Sequence, residues 1–151
     1  MTQAKPEKKQ VPLRRGFFKI PEEPGGKPYL ISSRCTNCGK YFVPTRVICL
    51  NCGKQALEEA PLKGKGTLYT YTIARQQLPG ALVTPPYAIA AIAMEEGCQV
   101  ATIVTEDWDS LEIGMDMEVY FEKIQEDAEG NEQMVYKFRP VKKRKKTRGS
   151  R

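Results

Sequence analysis

Cys35-Thr36-Asn37-Cys38-Gly39-Lys40 and Cys49-Leu50-Asn51-Cys52-Gly53-Lys54 repeat one pattern, and that repeat constrains the chain more than any other feature. Two residues between paired cysteines let both sulfurs of a tight turn reach one ion. The glycine after each pair permits a positive φ that turns backbone amides toward the thiolates. Four thiolates leave no open coordination position, so the site is closed and structural. One Zn2+ on Cys35, Cys38, Cys49 and Cys52 is the expected occupant. Residues 31–60 are too few to bury a core of their own, and ion binding, worth ~10–16 kcal/mol in zinc-finger peptides, would supply the folding energy. Zinc on four thiolates carries a charge of −2, which Arg34, Lys40, Arg46 and Lys54 stand close in sequence to offset.

The same motif has other occupants. Iron stays open, because rubredoxin-like electron carriers use the same knuckles. A pair of disulfides suits an oxidising compartment, and nothing in the chain points to one. Residues 1–15 are polar and basic, without the apolar segment of a secretory signal, so the expected location is the cytosol. A redox-active CxxC comes singly at a strand-to-helix junction, not as two copies at ribbon spacing. Cys98, in Glu95-Glu96-Gly97-Cys98-Gln99, reads as a small buried strand residue, since neighbouring acids disfavour its thiolate.

The 151 residues contain no histidine. That removes Ser-His-Asp and Cys-His nucleophiles, HExxH metal sites and every imidazole acid or base. Carboxylates, Lys and Tyr remain, but the composition weighs against an enzyme.

A net charge of +6 conceals a partition. Residues 1–15 hold five Lys/Arg and one Glu, and residues 142–151 hold seven Lys/Arg and no acid. Residues 16–60 carry +2, whereas residues 61–141 carry −7. The basicity is in the tails, and the larger part of the folding mass is acidic.

Pro6, Pro12, Pro21, Pro24 and Pro28 with Gly25-Gly26 make residues 1–30 an extended arm, which only Gly16-Phe17-Phe18-Lys19-Ile20 could anchor by burial. After residue 61 the pattern is one of short strands. Residues 66–74 alternate Tyr69, Tyr71 and Ile73 against Leu68, Thr70 and Thr72. Residues 87–94 and 98–105 read as a hairpin joined through Glu95-Glu96-Gly97. Residues 116–123 place Met117, Val119 and Phe121 on one face, and residues 133–141 place Met134, Tyr136 and Phe138 on one face. Residues 87–94 carry no charge, so both faces of that strand are expected to be covered, one by the barrel interior and the other by the ribbon, the arm or another protein. Five strands predict a small closed barrel, a count met by the OB-fold. The expected fold is mainly β, with an arm at 1–30, a rubredoxin-like zinc ribbon at 31–60, a five-stranded OB-fold barrel at 61–141 and a basic tail at 142–151.

Taken in order, these features resemble a known family. The paired knuckles are followed by Gly64-Lys65-Gly66-Thr67 and by Pro86-Tyr87 leading an apolar strand that ends at Glu96-Gly97. Ile113-Gly114-Met115-Asp116-Met117-Glu118-Val119 and Phe138-Arg139-Pro140-Val141 complete the set over residues 31–141. The chain is similar to rubredoxin-like ribbons fused to an OB-fold that serve as accessory subunits of thiolases and related acyl-CoA enzymes. The resemblance implies a non-catalytic chain bound to a thiolase-fold catalytic subunit in a heterotetramer, helping to hold a CoA ester at the shared interface. Arg34, Lys40, Arg46 and Lys54 are the candidates for the CoA phosphates, with solvated surface charge as the plainer reading of each. Family members often begin with an amphipathic helix, which Pro21, Pro24, Gly25, Gly26 and Pro28 forbid here. The tail at 142–151 also runs past the usual end.

Two other functions compete. Ribbons and OB-folds both bind nucleic acid, but a barrel of charge −7 would repel phosphates, and a membrane role lacks any apolar run of spanning length. A rubredoxin-like electron carrier would declare itself by colour.

Overall fold

The computed structural model describes residues 8–23 and 25–141. The basic tail expected at 142–151 lies outside the described residues. Strands are β1 (Gln10–Pro12), β2 (Phe18–Lys19), β3 (Tyr29–Cys35), β4 (Tyr41–Phe42), β5 (Leu57–Pro61), β6 (Lys65–Ala74), β7 (Tyr87–Met94), β8 (Gln99–Val104), β9 (Asp116–Glu126) and β10 (Glu132–Pro140). One 3-10 turn, Trp108–Ser110, precedes β9, and no helix of the described residues is long and apolar enough to cross a membrane.

Two sheets result. In the smaller, β3 is central: β5 pairs with it from Ile31 to Cys35, while β2 and β4 pair with its two ends, all antiparallel. The larger sheet runs β1-β10-β9-β6-β7-β8. Its last five members are the strands read from alternation, in the order of an OB-fold. The sixth comes from the arm, as β1 lies parallel to β10.

The backbone ladder of the large sheet stays open between β8 and β10. Side chains span that gap: the Tyr136 hydroxyl donates to the Ala101 carbonyl at 2.7 Å, and Lys137 Nζ reaches Thr105 Oγ1 at 3.4 Å. Leu68, Ala88, Ala90, Ile92, Val100, Val104, Met117 and Phe138 fill the interior.

β6 departs from simple alternation. Its register on β7 shifts between Leu68 and Thr70, so Tyr69 bulges out and stays exposed. The extra residue resets the period: Leu68 is buried, and Tyr71 and Ile73 also pack against the core. Simple alternation puts Leu68 on the face opposite Tyr71, because a bulge has no signature in a period-two count. β7 differs too. Ala88, Ala90, Ile92 and Met94 point inward, but Ile89 on the other face is 44% exposed, so that face is covered only in part.

The arm is anchored where its apolar residues stand. Phe18 is buried, its ring 5.1 Å from that of Phe121 and 6.1 Å from that of Tyr136, while Phe17 stacks on Tyr136 at 5.8 Å. Burying one such side chain is worth ~1.5–3 kcal/mol. Leu30 and Leu62, joined by the Leu62 N–H to Leu30 carbonyl bond of 2.9 Å, carry the same core under the ribbon.

Candidate metal centre

Each knuckle is built by the same backbone bonds. Cys35 N–H donates to the Lys40 carbonyl at 2.9 Å and Cys49 N–H to that of Lys54 at 3.0 Å. Gly39 and Gly53 donate back to the Cys35 and Cys49 carbonyls at 2.8 and 2.9 Å. Both glycines take the left-handed conformation, with φ of 77° and 74°, as the turn requires. β3 delivers Cys35, and the chain returns to β5 just after the second knuckle.

The four sulfurs of Cys35, Cys38, Cys49 and Cys52 lie within 4.8 Å of one another. Cys35 and Cys52 are 3.7 Å apart at Sγ, and Cys38 and Cys49 are 3.6 Å apart. An S–S bond would need ~2.05 Å. A tetrahedral ion with metal–sulfur bonds of ~2.3 Å sets its sulfurs ~3.8 Å apart, so the donor set and its spacing both fit a four-thiolate ion.

The thiols differ in readiness to ionise. The Lys54 backbone N–H and then the Asn37 side chain lower Cys52 to about 6. The Lys40 backbone N–H lowers Cys38, aided by the Asn51 side chain. Each asparagine thus serves the opposite knuckle. Burial pushes Cys49 up to about 11 against the backbone N–H groups of Cys52 and Asn51.

The four cations flagged in the sequence all lie on the ribbon and are exposed. Arg34 is engaged, with Glu58 at 3.7 Å and its guanidinium 6.0 Å from the centre of the Tyr41 ring. Lys54 crosses to the first knuckle, donating to Asn37 Oδ1 at 3.2 Å. Arg46 is fixed through its backbone, its N–H donating to Ser33 Oγ at 2.8 Å. Among the described residues Lys40, Arg46 and Lys54 form no ion pair with a carboxylate. Cys98 is buried in the barrel, and burial followed by the charge of Glu96 raises its pKa.

Sequence reasoning missed one surface, the tip of the ribbon, and marked a second, the outer face of residues 87–94, only as a face in need of cover. Val47, Ile48 and Leu50 stand exposed around the second knuckle, a signal present in the letters as apolar residues in a segment too short to bury them. A groove of about 500 Å³ runs beside β7 and β8, lined by Phe17, Leu82, Tyr87, Ile89, Ile103 and Tyr136. Its cations are Arg14 and Lys137, the latter buried and paired with Glu122.

Residues 23–58 match the family described as ChsH2, rubredoxin-like zinc ribbon domain, and residues 59–122 match ChsH2, C-terminal OB-fold domain. A DUF35 domain-containing scaffold protein of Methanothermobacter thermautotrophicus is 37% identical over 114 residues, covering 74% of this chain and 86% of the relative. The chain belongs to the DUF35 family. Another relative, the benzoylsuccinyl-CoA thiolase subunit BbsA of Geobacter metallireducens, is 26% identical over 128 residues, 83% of each chain. Among solved structures, the Ltp2-ChsH2(DUF35) aldolase shares the fold with a TM-score of 0.61 and 27% identity, over 74% of this chain and 84% of that one. The ribbon followed by the OB-fold is therefore the DUF35 architecture, and the names of these relatives are those of scaffolds and enzyme subunits.

Proposed function

We propose that this DUF35 chain is a non-catalytic accessory subunit that binds a thiolase-fold catalytic subunit and supports acyl-CoA binding and turnover. The observation that carries the reading is a closed four-cysteine cluster in a chain without histidine. Cys35, Cys38, Cys49 and Cys52 would hold one structural Zn2+, which supplies folding energy and no reactivity. Thiolysis through an acyl-enzyme needs a nucleophilic thiolate, and the cysteine outside the cluster, Cys98, is buried with a raised pKa. The chemistry then sits on the partner.

This chain contributes surface. The groove along β7 and β8 offers an apolar wall to an acyl group, and Lys40, Arg46 and Lys54, free of carboxylate partners among the described residues, are available to CoA phosphates together with Arg34. The reading divides the chain into an arm at 1–30, a ribbon at 31–60, a barrel at 61–141 and a tail at 142–151. The thiolysis of 2-benzoylsuccinyl-CoA in anaerobic toluene breakdown is the specific reaction suggested, supported by the likeness to BbsA.

Nucleic-acid binding has less support, because the groove is apolar and residues 61–141 carry −7. Co-expression with the thiolase-fold subunit of the same organism tests the proposal. A stable complex with one zinc per copy of this chain is the expected result. Recovery as a colourless lone monomer, or as a red iron protein, contradicts it.

A further inference from the structure

We infer that the tip of the ribbon, residues 47–50 with Arg46 and Lys54 flanking them in sequence, is the surface that docks into an apolar hollow rimmed by carboxylates on the catalytic subunit. The inference rests on the accessory-subunit reading and adds to it the face and the chemistry of the contact.

Three large aliphatic side chains project from this short segment. Val47 is 76% exposed, Ile48 48% and Leu50 66%, while Cys49 between them is buried in the sulfur cluster. They have nowhere to fold back, since the ribbon's interior is the cluster itself. Scattered apolar residues on a surface need no explanation, but three exposed within four positions concentrate apolar surface on one short segment.

The segment is held in place before any partner arrives. Thr45 N–H donates to the Gly16 carbonyl at 3.0 Å, Arg46 N–H to Ser33 Oγ at 2.8 Å, and Cys49 N–H to the Lys54 carbonyl at 3.0 Å. These bonds tie the loop to the arm, to β3 and to the second knuckle. A pre-ordered patch loses less entropy on binding, which favours an interface.

Charge identifies the partner. Residues 31–57 contain no Asp or Glu, while Arg34, Lys40, Arg46 and Lys54 all lie within them. The acids nearest in sequence, Glu58 and Glu59, are already paired with Arg34 and Lys19. Arg46 and Lys54 flank the apolar tip in sequence, and in this inference they meet carboxylates of the partner, which leaves Arg34 and Lys40 to the CoA phosphates. An anionic bilayer would also attract the tip, but the barrel behind it carries −7 and the patch has no aromatic side chain to seat at a lipid interface.

The test uses the full chain and the thiolase-fold subunit of the same organism. Val47→Asp with Leu50→Asp should raise the dissociation constant about 100-fold, as loss of two central anchors does. Zinc content and circular dichroism should be unchanged. Ile113→Asp, at a side chain 68% exposed on the barrel, should leave binding intact. Arg46→Glu with Lys54→Glu should weaken binding and flatten its salt dependence. If the Asp pair loses zinc, Val47→Ala with Leu50→Ala, which adds no charge beside the sulfurs, decides the matter. Wild-type binding that survives the tip substitutions overturns this inference and leaves the accessory-subunit reading standing. Failure of the wild-type chain to bind overturns that reading itself. Tip-dependent flotation with phosphatidylglycerol vesicles, without tip-dependent partner binding, reassigns the surface to lipid and overturns the inference.

Discussion

The Tyr136 hydroxyl donates to the backbone carbonyl of Ala101 at 2.7 Å, joining β10 to β8 where the two strands share no backbone ladder. The closed barrel expected from the strand count is thus not completed by backbone pairing, and side chains bridge its two edges. Tyr136→Phe should cost about 1 kcal/mol in urea unfolding, the net worth of one hydrogen bond, and should raise hydrogen exchange along β8.

Burial pushes Tyr136 up to about 12 from an ordinary value of 10.0, although the charge of Arg14 pulls the other way. The folded chain therefore favours the neutral phenol. This stabilisation is whole below pH 10 and is lost as pH rises from there through about 12. A tyrosinate absorbance titration should show one phenol ionising last, and that step should vanish in Tyr136→Phe.

Glu126 works in the opposite sense. Hydrogen bonds from Lys123 at 2.7 Å and Lys8 at 2.6 Å lower its carboxyl to about 2 from 4.5. Its contribution is present above pH 4.5 and declines as pH falls toward about 2. Lys8 lies next to β1, so the arm should loosen over that window, seen as faster exchange at Val11. Glu126→Gln should show the same exchange at neutral pH.

Removing one sulfur should dissolve the ribbon without a comparable loss in the barrel. Cys38→Ser should abolish stoichiometric zinc and the exchange protection of β3 to β5 near the knuckles. Because zinc binds thiolates and not thiols, loading zinc at pH 8 should release protons into weakly buffered solution.

Phe18 is the arm's anchor, buried against Phe121 and Tyr136. Phe18→Ala should cost about 3–5 kcal/mol, measured by urea unfolding, and should free β1 and β2 together.

Legibility from sequence followed the range of the interaction. The knuckles were readable because ligation is local, with Cys35 and Cys38 on one turn and Cys49 and Cys52 on another. Met117, Val119 and Phe121 face the core as alternation predicts, since β9 keeps its period there. The bulge at Tyr69 was invisible, because one unpaired residue leaves no mark in composition. The pairing of β1 with β10 was equally hidden, as it joins residues more than a hundred positions apart. The exposed tip was written in the letters Val47-Ile48-Cys49-Leu50, but only the cluster's geometry shows that those side chains stay outside.

Whether this DUF35 chain lends surface or reactivity is read most directly from acyl-CoA turnover. The chain alone, the thiolase-fold subunit alone and the two purified together would be assayed with 2-benzoylsuccinyl-CoA and free CoA. Turnover by the joint preparation, none by this chain, and a marked loss when Val47→Asp and Leu50→Asp are introduced are the predicted results. Turnover by the isolated chain, or an undiminished rate from the catalytic subunit without it, would contradict the proposal.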